Sequence, residues 1–215
     1  MTYDYKIKEL LEELNDEDRR AILSRQYGVG GVHWCCGAGR FNSVFDVDAR
    51  SFYPHILLNY DLLPKWIDKN RYNELLTRRM AGDNDSRLKM ALNVPTGQLR
   101  MASATPDDKE RGLAMCMIGQ ALILTLKEKL INAGCKIIQI NTDGIMCSCG
   151  PARWTVPDTV REFQFYIGIP FKVKSITRLV QADVNNYYAV FEDGTTVCKG
   201  AKFKAQGVKL LLDNR

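Results

Sequence analysis

Two acidic residues in the first quarter of the chain, Asp46 and Asp48, have a spacing that suits metal binding. Residues 45–48 alternate apolar and acidic side chains, which predicts a half-buried strand. Because side chains two apart on a strand point to the same face, both carboxylates would lie on one side of a sheet. Such carboxylates are costly to bury unless they are paired or coordinate a cation, and hard divalent cations prefer oxygen ligands. The simpler alternative for this pair alone is a polar, solvated strand end.

A second acidic segment lies far along the chain. Residues 135–140 predict a strand, residues 145–147 resume its apolar pattern, and residues 141–144 (Asn-Thr-Asp-Gly) predict a tight hairpin turn between them. A hairpin that presents Asp143 beside the strand of Asp48 gives two carboxylates facing one cleft. This arrangement suits a two-metal site for phosphoryl transfer, with cations roughly 3.5–4 Å apart. The sequence therefore predicts Asp48 and Asp143 as metal ligands and catalytic residues.

Three segments resemble the motifs of family B DNA polymerases, especially the phage-type enzymes. Residues 48–54 (Asp-Ala-Arg-Ser-Phe-Tyr-Pro) resemble motif A, D-x-x-S-Φ-Y-P. Residues 89–97 (Lys-Met-Ala-Leu-Asn-Val-Pro-Thr-Gly) resemble motif B, K-x-x-x-N-S-x-Y-G, and residues 141–144 resemble motif C, D-T-D-S. The motifs occur in the family's order, and the resemblance covers residues 27–204.

The resemblance implies a DNA-templated DNA polymerase, a nucleotidyltransferase that adds deoxynucleotides to a primer 3′ end with two Mg²⁺ ions, which Mn²⁺ can replace. Tyr53 would lie under the incoming sugar and exclude a 2′-hydroxyl, with an ordinary core aromatic as the alternative. The implied catalytic residues are Asp48, Asp143 and Lys89, of which Asp48 and Asp143 bind the metals. The implied nucleotide-binding residues are Ser51, Phe52, Tyr53, Arg78, Arg79, Lys89 and Asn93, and the implied DNA-binding residues are Gly97, Thr142, Tyr188, Lys199 and Lys202.

Several positions depart from the family pattern. Val94 and Thr96 stand at the serine and tyrosine of motif B, which alters the packing expected over the nascent base pair. Asn141 stands where the family often has the first aspartate of motif C. This substitution is expected to affect the rate or the metal preference of the enzyme more than the type of reaction that it catalyses. Residues 185–188 (Asn-Asn-Tyr-Tyr) keep the tyrosine of the primer-binding K-K-x-Y segment but lack its lysines. The lysines of the following strand are the alternative contacts, unless that strand is a solvated edge.

The predicted fold is α+β, a polymerase palm with an antiparallel sheet backed by helices and a small two-helix fingers insertion. Residues 28–48 predict a β-hairpin, and Pro95 is expected to end the second fingers helix near Asn93. The predicted helices are 6–14, 18–25, 64–80, 85–92, 112–133 and 157–166, and the later predicted strands are 171–180, 184–191 and 195–204. The predicted domains are an N-terminal helical segment (1–26), the palm (27–59 and 98–204), the fingers (60–97) and a C-terminal tail (205–215).

The amino-acid composition limits the possible class, partners and location of the protein. With 46% apolar residues the chain can bury a sizeable core, and a net charge of +5 suits a polyanionic partner without requiring one. No run approaches the roughly 18 apolar residues of a membrane span, so no membrane partner is expected. Seven cysteines without a regular framework predict reduced thiols and a cytoplasmic location, that of the bacterial host for a phage protein. Zinc binding by His33 with Cys35 and Cys36, or by Cys147 with Cys149, is the less favoured alternative.

The regions expected in a complete replicase are not all recognisable here. Fewer than fifty residues precede motif A and eleven follow Lys204, so neither an exonuclease nor a thumb is predicted. The chain is therefore expected to act with primed DNA, deoxynucleotides and other polymerase chains that supply those functions. Two alternatives remain: a non-catalytic nucleic-acid-binding or scaffold protein of a replication or virion complex, and another palm enzyme such as a cyclase or primase. Motif B disfavours the second alternative.

Overall fold

The computed structural model describes residues 2–150 and 154–204, without the side chains of residues 2–6, 202 and 204. The predicted C-terminal tail, 205–215, lies outside the described residues. The described residues form two compact units: the first contains residues 2–31, 49–125 and 164–170, and the second contains residues 32–48, 126–150, 154–163 and 171–204. The predicted palm and fingers boundaries stay a prediction.

A seven-stranded sheet forms the second unit, with strand order β1-β3-β4-β2-β5-β6-β7. Its strands are β1 His33–Cys35, β2 Gly39–Ala49, β3 Lys136–Asn141, β4 Gly144–Ser148, β5 Phe171–Asp183, β6 Asn186–Phe191 and β7 Thr196–Lys199. The α+β class and the antiparallel sheet are confirmed. The predicted hairpin over residues 28–48 is wrong, because β1 pairs with β3, His33 opposite Asn141, and not with β2. Strand β2 is flanked by β4 and β5, so it leaves no edge for β1.

Five helices lie in the first unit: α1 Thr2–Glu12, α2 Asp16–Leu23, α3 Phe52–Asn59, α4 Lys69–Met80 and α5 Ser86–Gln98. The long helix α6 (Pro106–Asn132) and helix α7 (Thr155–Ile167) each contribute residues to both units, and α8 spans Ala201–Lys204. The predicted helix at residue 64 begins later because the Asp68 side chain caps α4 by accepting from the Arg71 N–H at 2.7 Å. The predicted strand 195–204 ends early, because Gly200 has φ +84° and α8 follows. Within residues 2–150 and 154–204, no helix is long and apolar enough to cross a bilayer.

Helix α5 continues through Pro95 to Gln98, so the expected stop near Asn93 is wrong. Proline lacks the N–H that would bond to the preceding turn, which normally breaks a helix. Here packing offsets that loss: Leu92 and Pro95 are both buried, and the Tyr72 hydroxyl donates to the Leu92 carbonyl at 2.6 Å. The helix resumes beyond the proline, where the Leu99 N–H donates to the Pro95 carbonyl at 3.0 Å.

One face of the sheet changes from apolar to acidic along β2. Val44 belongs to a buried cluster with Met146 and Phe191, among others. Asp46 and Asp48 follow it at two-residue intervals, so they continue the same face. The alternating residues Phe45, Val47 and Ala49 are buried, so the opposite face of the strand stays apolar alongside the acids.

A disulfide joins Cys135 to Cys149 at the open end of the β3–β4 hairpin. The expectation of reduced thiols is therefore wrong for this pair, while Cys116 and Cys147 are free and buried. The pairing depends on β3 lying beside β4, where Lys136 opposes Ser148. Spacing along the chain alone does not reveal it.

Reducing this disulfide is expected to lower the free energy of unfolding by about 3 kcal/mol, because the bond closes a loop of 14 residues and restricts the unfolded chain. Urea unfolding with and without a phosphine reductant, in a buffer containing a chelator, measures the difference. A Cys116→Ser variant should show the same loss, because Cys116 is free. Equal stability of the oxidised and reduced protein would contradict the prediction.

Candidate active site

The second unit brings the strand of Asp48 and the turn of Asp143 side by side. Strands β2 and β4 are antiparallel, with Asp46 opposite Met146 and Asp48 opposite Gly144. Residues 142–143 form the two-residue turn between β3 and β4, where Asn141 pairs with Gly144. The predicted hairpin at residues 141–144 is thus confirmed.

Gly144 allows the hairpin to approach β2 closely. A Cβ atom at this position would lie 2.9 Å from the Val47 carbonyl oxygen and 3.3 Å from Asp48 Oδ1. Both distances are shorter than ordinary van der Waals contacts, and the Val47 carbonyl belongs to the backbone and cannot turn away. Any larger residue at 144 would therefore push the turn that carries Asp143 away from Asp48.

The surroundings of the Asp48 carboxylate disfavour its ionised form. Burial of the carboxylate, followed by the negative charges of Asp143 and Asp46, raises its pKa to about 7, against the opposing effect of Lys174 and Lys199. The residue as a whole remains exposed, so the group is partly dehydrated yet open to a ligand. A cation bound beside this carboxylate would favour its ionised form and offset the repulsion from the neighbouring acids.

Two lysines and a tyrosine complete this face of the sheet. Burial raises the pKa of Asp46, Lys174 and Lys199 lower it, and Asp143 raises it again. Burial and the charges of the neighbouring acids raise the pKa of Tyr187 to about 12. Lys199 Nζ lies 5.6 Å from the centre of the Tyr187 ring. Neither Tyr187 nor Lys174 is among the site residues predicted from the sequence. For Lys174, the alternation of lysines in residues 171–174 could have indicated a position facing the acids.

The donor set fits hard divalent cations, because it consists of carboxylate oxygens on one face. The three aspartates do not converge on a single point. Among residues 2–150 and 154–204, the one group of three acidic, histidine or cysteine side chains whose ligand atoms all lie within 4.8 Å consists of cysteines. A single cation would therefore be held by two of the aspartates at most, and Asp48 with Asp143 is the pair that the turn brings to β2.

The predicted nucleotide-binding residues of motif A lie in the first unit. Ser51 adopts a left-handed backbone, φ 52°, at the start of α3, and its carbonyl oxygen lies 2.9 Å from His55 Nδ1. Phe52 is buried, whereas Tyr53 is only half-buried. The Tyr53 ring lies against Phe52 at 5.6 Å between ring centres. Gly119 of α6 makes room for both rings, since a Cβ there would lie 3.3 Å from Tyr53 Cε1. Tyr53 therefore has the partial exposure that a stacking platform needs.

The predicted phosphate-binding residues lie on helices α4 and α5. Lys89 and Asn93 are exposed one turn apart on α5, and Asn93 Nδ2 donates to the Lys89 carbonyl at 3.0 Å. Arg78 forms an ion pair with Asp83 at 2.8 Å, and Arg79 donates to the Asp83 carbonyl at 3.0 Å. Both arginines are thus occupied in fixing the turn between α4 and α5, which leaves Lys89 as the stronger candidate.

Comparison with known proteins shows what this fold resembles. No family model matches the sequence, and no curated protein matches it. The structure is similar to that of the family B DNA polymerase from the hyperthermophilic archaeon Pyrobaculum calidifontis, with a TM-score of 0.62. The similarity covers 80% of this chain at 19% identity. The fold is that of part of a family B DNA polymerase. The chain spans 28% of the length of the archaeal polymerase.

Within this polymerase-like fold, the predicted DNA contacts have different exposures. Gly97 is exposed on α5, and Thr142 lies in the acidic turn with its hydroxyl 3.1 Å from His33 Nε2. Tyr188 is buried, whereas its neighbour Tyr187 is half-buried and lies near the carboxylates, because successive side chains of a strand point to opposite faces. DNA binding by Tyr188 stays a prediction. Lys199 is half-buried in β7, and the Lys202 side chain lies outside the described part of the chain.

Proposed function

We propose that the chain is the palm-and-fingers part of a DNA-templated DNA polymerase that adds deoxynucleotides to a primer 3′ end. The observation that carries the proposal is the coupled pair of carboxylates, Asp48 on β2 and Asp143 in the β3–β4 turn. After burial, the negative charge of Asp143 contributes most to raising the pKa of Asp48. This pair lies in a sheet with the fold of part of a family B polymerase.

Asp48 and Asp143 would hold two Mg²⁺ ions, or Mn²⁺ in their place. Bound cations of this kind polarise the attacking hydroxyl and neutralise charge on the transferred phosphoryl group. Lys89 would bind the triphosphate of the incoming nucleotide, and Tyr53 would lie under its sugar and leave no room for a 2′-hydroxyl. These two residues belong to the first unit and enter the proposal through their motifs.

The proposed division is a palm of residues 27–59 and 98–204 and fingers of residues 60–97. The partners are primed DNA and deoxynucleotides, together with other polymerase chains that supply exonuclease and thumb functions. The amino-acid residues at the positions of motifs A, B and C favour a phage-type replicase that acts in the cytoplasm of a bacterial host. On the primer strand, Lys199, which is half-buried in β7, would meet phosphate groups, the commonest partners of basic side chains in protein–DNA interfaces.

Extension of a primed template by one labelled deoxynucleotide tests the proposal. The assay uses Mg²⁺ or Mn²⁺, low salt and excess protein, because few backbone contacts are available to hold DNA. We expect incorporation by the wild type and by Asp193→Asn, a carboxylate of the β6–β7 turn, and none by Asp143→Asn. Absence of incorporation by every form, with DNA binding equal in all three, would overturn the proposal in favour of a non-catalytic scaffold.

Replacing Lys89 by alanine is expected to lower kcat/KM for the deoxynucleotide by about 10²-fold, because a charged contact to the triphosphate is lost. Single-nucleotide incorporation at varied deoxynucleotide concentration measures the change. Arg71→Ala is the matched control, because Arg71 is exposed on α4 and its replacement also removes one positive charge. Equal losses in the two variants would show that Lys89 acts only through overall charge.

A further inference from the structure

Three sulfur atoms meet in the interior of the second unit. The sulfurs of Cys135, Cys147 and Cys149 all lie within 4.8 Å of one another, and all three residues are buried. Cys135 precedes β3, whereas Cys147 and Cys149 are two residues apart at the end of β4, so their side chains share a face. The cluster closes the end of the hairpin opposite the turn that carries Asp143.

The third sulfur of this cluster does not belong to the disulfide. Cys147 is a free and fully buried thiol, and its sulfur lies within 4.8 Å of both sulfurs of the Cys135–Cys149 pair. A ligand that displaces the thiol proton would engage all three sulfurs.

We propose that the reduced protein binds one thiophilic d¹⁰ cation, Zn²⁺ or a chemically similar ion, through the sulfurs of Cys135, Cys147 and Cys149. A thiol reductant first donates two electrons and two protons to the disulfide and is itself oxidised to a disulfide. The cation then binds three thiolates and releases three protons to solvent, leaving a net charge of −1 on the site. Three protein ligands leave a fourth tetrahedral position for water or an external thiol.

The cluster needs little rearrangement for this role. Zinc–sulfur bonds of about 2.3 Å in tetrahedral geometry place sulfurs about 3.8 Å apart. The two disulfide sulfurs separate to about that distance once the bond is broken, and Cys147 already lies within 4.8 Å of both. Thiolates also select zinc over magnesium, so this site and the carboxylates would take different ions.

Titration of the reduced full-length chain with Cd²⁺ tests the proposal, because cadmium–thiolate bonds have an ultraviolet charge-transfer band. The protein is reduced with a phosphine, freed of metal with a chelator and desalted without oxygen. We expect saturation at one equivalent for the wild type. Cys147→Ser should bind at least about tenfold more weakly, as expected when a ligand is removed, with a band reduced by about a third. Cys116→Ser, a matched change of another buried free thiol, should behave as wild type.

A second measurement maps the bound thiols in the wild type and does not depend on the variants folding. Alkylation followed by mass spectrometry should show that Cd²⁺ protects Cys135, Cys147 and Cys149. Cys36 is exposed, so it should still be alkylated in the presence of Cd²⁺. Its alkylation serves as the control that the reagent is active. Absence of a saturable band, or protection of residues 35–36 in place of the three buried sulfurs, would overturn the proposal.

Discussion

Replacing Asp48 by asparagine is expected to abolish nucleotide addition while making the metal-free protein more stable above pH 7. The loss of activity should be about 10³-fold or more, because a metal-binding carboxylate stabilises transition-state charge by several kcal/mol and each 1.36 kcal/mol is a factor of ten in rate. The opposite effect on stability arises from the same group. Without a cation, the ionised Asp48 carboxylate is held in a partly dehydrated place beside Asp143 and Asp46.

The sign of the pH dependence follows from the direction of this shift. The pKa of Asp48 is about 7 in the folded protein against an ordinary value of 3.8. The folded state therefore binds more protons than the unfolded state between these values, and stability falls as pH rises through this window. The stabilisation from the protonated carboxyl is fully present below about pH 4 and is lost as pH rises through about 7. Since the side chain is exposed, solvent screening reduces the effect to the order of 1 kcal/mol.

Urea unfolding at pH 5 and pH 8 in the presence of a chelator measures this effect. The wild type should lose stability between the two pH values, and Asp48→Asn should lose less. Asp193→Asn should lose as much stability as the wild type, because hydrogen bonds from Thr195 lower the pKa of Asp193 and this carboxylate is ionised at both pH values. Addition of Mg²⁺ should stabilise the wild type at pH 8 more than Asp48→Asn, since a ligand that binds only the folded state stabilises it. Equal pH dependence in the wild type and Asp48→Asn would contradict the assignment.

Local sequence patterns predicted the parts of the fold that form within a few residues of one another. The turn at residues 141–144 was predictable because its glycine and polar residues suit a tight hairpin and apolar runs flank it. The helix at 155–167 was predictable over residues 157–166 for similar reasons. These are features in which each residue's preference agrees with the final structure.

The features that the sequence did not reveal depend on partners that are distant along the chain. Strand β1 pairs with β3 because β2 is already flanked on both sides, and nothing within residues 28–48 reveals that. Likewise, the burial of Tyr188 instead of Tyr187 follows from the register of β6 between its two neighbours. Pro95 remains helical because Tyr72, on another helix, packs against the turn before it. The influence of Lys174 on the acids also required the sheet order, which places β5 beside β2.

Replacing Gly144 by alanine should damage the site without removing any functional group. The added Cβ would lie 2.9 Å from the Val47 carbonyl oxygen, so the turn must move away from β2 and carry Asp143 with it. A displacement of about 1 Å in a reacting group costs on the order of 10²-fold in rate, and the crowding should lower the free energy of unfolding by about 1–3 kcal/mol. Single-nucleotide incorporation and urea unfolding measure the two effects.

Gly30→Ala is the matched control for this change, because a Cβ at Gly30 would have no neighbour within 4 Å and its φ is not in the left-handed region. Loss of stability alone does not explain inactivity if the assay is run where both variants are folded. The more specific measurement is the stabilisation by Mg²⁺. Added Mg²⁺ should raise the free energy of unfolding of Gly30→Ala as much as that of the wild type, and should raise that of Gly144→Ala less. If both variants gained equally from Mg²⁺ and incorporated nucleotide equally well, the separation of Asp48 from Asp143 would not be what sets the cation site.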